Sequence, residues 1–86
     1  MKADALLREY VGNLSDNDLQ YLYIRYQQRL ITDIEEIITF LSKDKSVDKW
    51  LSTAPDVDDL FEMVDSVGAF VGKELNARER INATGH

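Results

Sequence analysis

Leu19, Tyr23, Tyr26, Leu30, Ile34, Ile37 and Leu41 follow one another at steps of three or four. That spacing lines all of them along one side of a 3.6-residue helix and predicts a buried stripe. Neither glycine nor proline interrupts the chain between Gly12 and Pro55, so the helix has no breaker before the polar run Lys43-Asp44-Lys45-Ser46. Ile24, Ile31 and Ile38 add a line at intervals of seven, and Leu22 and Phe40 widen the other edge. The apolar face then spans about half the circumference, more than one neighbouring helix covers. Arg25, Gln28, Thr32, Glu36 and Thr39 form the wet face. The start is also marked: Ser15 stands three residues before Asp18, a capping-box spacing, and Asp16 and Asp18 suit the positive end of the helix dipole.

The flanking segments read the same way. Ala3, Leu6, Leu7 and Tyr10 predict a short amphipathic helix over 3–11, with Gly12 as its left-handed exit. Ser46 is placed to cap a turn of helix over 47–52 that carries Val47, Trp50 and Leu51, with Trp50 plugging the end of the assembly. Pro55 suits the first turn of a last helix over 55–80, where its missing amide costs nothing. Val57, Leu60, Phe61, Val64, Val67, Val71 and Leu75 form its stripe, widened by Met63 and Phe70. Lys73, Arg78 and Arg80 gather near its negative pole. Residues 81–86 read as a frayed tail.

A helix over 16–43 is about 42 Å long, whereas a compact globule of 86 residues has a diameter of about 30 Å. The expected fold is therefore all-α: an elongated helical hairpin or small bundle in one domain. Its two wide apolar faces call for completion by dimerisation or by a partner, most simply a dimeric four-helix arrangement.

Composition narrows the chemistry. The chain has no cysteine, which removes thiol nucleophiles, disulfides and thiolate metal sites. Its one histidine is the terminal His86, so imidazole-based triads and metal clusters have no source. Glycines at 12, 68, 72 and 85 form no phosphate-binding loop. No catalytic residue, cofactor or metal is expected, and the protein reads as a non-enzyme. No apolar run reaches membrane-spanning length and no signal-peptide core is evident. Together with the absent cysteines this predicts a cytoplasmic, soluble protein in which Asn82-Ala83-Thr84 is an incidental sequon. A net charge of −6 repels nucleic acid and anionic lipid and favours a basic protein partner.

Three groups of residues are candidates for function. Tyr21, Arg25 and Arg29 form an i, i+4, i+8 line expected on the outer face of the long helix, combining the residue types richest in interface hot spots. Asp56, Asp58, Asp59, Glu62 and Asp65 form an acidic patch at the start of the last helix, with no glycine turn of the kind a calcium loop needs. Gly68 and Gly72, one turn apart, suggest a close helix–helix crossing within or between chains. The function expected is that of a helical protein–protein interaction module that self-associates, binds another protein, or both. The alternatives are a small acidic inhibitor of viral counter-defence type that occludes a nucleic-acid-binding site, and a structural subunit of a phage or secretion assembly.

Overall fold

The computed structural model describes residues 2–84, and the side chains of residues 4–81. Five helices follow in order: α1 (Lys2–Gly12), α2 (Asp16–Gln28), α3 (Ile31–Leu41), α4 (Lys45–Leu51) and α5 (Val57–Thr84). The all-α class is as the periodicity predicts. The single helix expected over 16–43 is instead two helices, and α5 is the one long rod, about 42 Å by its 28 residues.

The break falls at Arg29 and Leu30. Arg29 is left-handed, with φ 51° and ψ 31°, and its amide donates to the Arg25 carbonyl at 3.1 Å. Leu30 is extended, and its amide donates to Asp33 Oδ2 at 3.2 Å. A left-handed non-glycine residue costs about 1–2 kcal/mol. Reversing the chain there brings α3 back alongside α2 and buries Ile37 and Leu41, each contributing about 1.5–3 kcal/mol. Burial outweighs the strain.

Other boundaries also move. α2 starts as expected, with Ser15 Oγ accepting from the Asp18 amide at 3.1 Å. Gly12 is the last residue of α1 and not a left-handed exit, since no described glycine has positive φ. Asp44, rather than Ser46, caps α4, accepting from the amides of Ser46 and Val47. Pro55 lies ahead of α5, whose first turn is closed by Asp56 Oδ1 accepting from the Asp59 amide at 2.9 Å. α5 remains helical to Thr84, through the first part of the stretch expected to fray. His86 lies outside the described residues.

Ion pairs and hydrogen bonds set the directions of the helices. α2 runs antiparallel to α5: Arg29 pairs with Asp65 at 2.6 Å, Tyr26 donates to the Val64 carbonyl, and Arg78 pairs with Asp16 at 2.8 Å. Arg78 also donates to the carbonyls of Gly12 and Leu14, at 3.3 and 2.9 Å, holding the α1–α2 connection against α5. α3 runs antiparallel to α2 through Arg25–Asp33 at 2.8 Å and Tyr21–Glu36 at 3.4 Å. α4 packs on α1. Every helix feeds one core: Leu7, Val11, Leu19, Leu22, Ile37, Leu41, Val47, Leu51, Val64, Val67, Val71 and Leu75. The radius of gyration is 13.2 Å, against about 12 Å for a compact domain of this length. The bundle is elongated.

Candidate functional site

Because α2 stops at Gln28, the face that carries Tyr21 and Arg25 is turned to α3 and not to solvent. The Arg25 guanidinium reaches Asp33 and Glu36, both at 2.8 Å, and stands 5.1 Å from the centre of the Tyr21 ring. The Tyr21 ring lies 5.4 Å from that of Phe40. Asp33 is 1% exposed, and it both receives Arg25 and caps α3. The hydrogen bond that Arg25 donates to Asp33, together with the charge of Glu36, raises the Arg25 pKa against the opposing effect of burial. The expected outward line is thus an internal clamp across the α2–α3 turn. Arg29, at the turn itself, is exposed and pairs with Asp65 of α5 rather than with Asp33.

That pairing divides the acidic patch. Asp65 is engaged by Arg29, and Asp56 caps α5. The exposed carboxylates of Asp58 and Glu62, and that of half-buried Asp59, make no ion pair among the described residues. No group of three or more potential metal ligands occurs among the described residues.

The two glycines differ. A Cβ on Gly68 would stand 2.8 Å from two carbons of the Tyr26 ring, whereas one on Gly72 would meet nothing within 4 Å. Gly68 therefore permits the α2–α5 crossing inside the chain, and Gly72 is not needed for it. Tyr26 seals that crossing; burial, and then the nearby Asp65 carboxylate, push its hydroxyl pKa well above the usual range.

The same corner exposes side chains that the stripes had assigned to the interior. Leu30 is 62% exposed, Ile31 77%, Val57 61% and Phe61 40%. Val57, Phe61 and Asp65 are spaced four apart on α5 and so share a face. Asp65 is bound to Arg29, which Leu30 and then Ile31 follow in the chain. Leu30 and Ile31 at the α2–α3 turn and Val57 and Phe61 at the start of α5 are thus exposed on two elements that the Arg29–Asp65 pair ties together, and Asp58 and Glu62 flank the Val57–Phe61 face. Periodicity alone misses it, because period reports which residues share a face and not whether a neighbour arrives to cover that face.

Fold and surface together define a small all-α bundle that exposes large apolar side chains at the α2–α3 turn and at the start of α5. No family model, no curated protein and no solved structure matches this chain. No helix among the described residues is long and apolar enough to cross a membrane.

Proposed function

We propose that this chain is a non-enzymatic, cytoplasmic interaction module that docks a protein surface through the corner formed by Leu30, Ile31, Val57 and Phe61. The observation that carries this reading is that Leu30, Ile31, Val57 and Phe61, four of the six large exposed apolar residues among those described, lie at the α2–α3 turn and the start of α5, two elements joined by the Arg29–Asp65 pair. Clustered apolar surface with a polar rim is characteristic of protein-docking sites. The free carboxylates of Asp58 and Glu62 repel phosphate and select a partner with a basic edge around an apolar centre. The reading as a nucleic-acid mimic is weaker, since two of its five carboxylates are committed to Arg29 and to capping α5.

Affinity capture from native lysate tests this role. The parent chain should retain a defined protein that a Leu30→Ser, Ile31→Ser, Phe61→Ser variant loses, with the helical circular dichroism of both unchanged. Equal recovery by the two folded chains would overturn the assignment of the corner.

A further inference from the structure

The second half of α5 carries a surface of opposite character. A shallow cleft of about 400 Å³ between α1 and α5 is lined by Arg8, Val11, Phe70, Lys73, Glu74 and Ala77. The Arg8 guanidinium and the Lys73 ammonium each stand 5.9 Å from the centre of the Phe70 ring. Glu74, the one carboxylate lining the cleft, is turned to Arg78 at 2.9 Å. Arg8 and Lys73 are exposed and make no ion pair among the described residues. In a chain of net charge −6, two uncompensated cations on one aromatic ring form a local site for an occupant that is both apolar and acidic.

The beginning of α5 has that chemistry: Val57 and Phe61 are exposed beside Asp58 and Glu62. It cannot reach the cleft of its own chain, because both surfaces belong to one continuous helix. Phe61 and Phe70 are nine residues apart, which is about 14 Å along the axis and about half a turn around it. The two surfaces face opposite ways.

We propose that the protein self-associates head to tail, the acidic and apolar start of α5 in one copy seating in the Arg8–Phe70–Lys73 cleft of a second copy. The inference rests on the reading of the α5 start as a docking surface and names its occupant. Opposed faces prevent two copies from satisfying both contacts with each other, so the contact is heterologous. Each added copy leaves one corner and one cleft open, and assembly continues into a ring or a filament. This departs from the closed two-fold dimer expected from the sequence.

Sedimentation velocity of the full chain over a concentration series tests the proposal. Species beyond the dimer should form in about 20 mM salt and revert to monomer in about 500 mM salt, where charge pairs at a surface are screened. Arg8→Glu, Lys73→Glu and Asp58→Lys, Glu62→Lys double variants should each stay monomeric, and an equimolar mixture of the two should recover the large species. All four positions are exposed, and circular dichroism checks that the variants fold. A parent chain that stays monomeric up to about 1 mM at low salt, a closed dimer insensitive to salt, or a mixture that fails to reassociate would each overturn the proposal. The corner reading is judged separately, by whether the Leu30, Ile31, Phe61 variant still loses its captured protein.

Discussion

Gly68 and Gly72 are indistinguishable by spacing, yet the structure gives them opposite sensitivities. Alanine at either position gains about 1 kcal/mol of helix propensity. At Gly72 nothing opposes that gain, because the new methyl group enters open space. At Gly68 the methyl group meets the Tyr26 ring at 2.8 Å, and the ring is tethered through its hydroxyl to the Val64 carbonyl. Overpacking of this kind costs about 1–3 kcal/mol. In urea denaturation Gly72→Ala should raise the midpoint by an amount worth about 1 kcal/mol, and Gly68→Ala should lower it. Equal shifts of one sign would show that Tyr26 does not hold α2 against α5.

At the scale of an element, the decisive feature is the reversal between α2 and α3. It depends on Asp33, which accepts from the Leu30 amide and from Arg25 while almost fully buried. Removing it leaves a helix start without its cap and a half-buried guanidinium with Glu36 as its remaining partner. Asp33→Ala should destabilise the fold by about 2–4 kcal/mol. Asp33→Asn, which keeps an acceptor for the Leu30 amide, should cost less. Urea titration followed by circular dichroism reads the difference, and a silent Asp33→Ala would assign the reversal to apolar packing alone. The sequence contains the signal, an acid three residues after Leu30, but in the helical register it reads as one more exposed residue. Only the left-handed Arg29 makes it a cap.

At the scale of the whole molecule, two partly buried phenols couple the fold to alkaline pH. Tyr10 is pushed up to about 12 by burial, with the Asp44 and Asp18 carboxylates adding to it. Tyr26 moves in the same direction, through burial and then Asp65. Above pH 10 the unfolded chain releases phenolic protons that the folded chain keeps, so the unfolded state binds fewer protons and stability falls as pH rises. This contribution is complete below about pH 10 and, for Tyr10, is lost as pH rises toward about 12. The melting temperature should hold steady to about pH 9 and decline beyond about pH 10. Tyr10→Phe should reduce that decline, and an unchanged alkaline profile in this variant would show that Tyr10 does not supply it.

The chain by itself determined that the molecule is helical, where α2 begins, and which residues are apolar enough to form a core. Leu19, Ile37, Leu41, Val64, Val67, Val71 and Leu75 were all legible, because a 3.6-residue period and a capping serine act over a few neighbouring positions. Tertiary structure alone decided that Leu30 and Ile31 turn outward, that Arg25 closes on Asp33, and that Arg78 reaches Asp16 from 62 positions away. Local pattern carries no information about those outcomes. A left-handed residue costing about 1–2 kcal/mol is accepted only when the returning helix finds apolar surface to bury, and that surface is set by parts of the chain far from the turn.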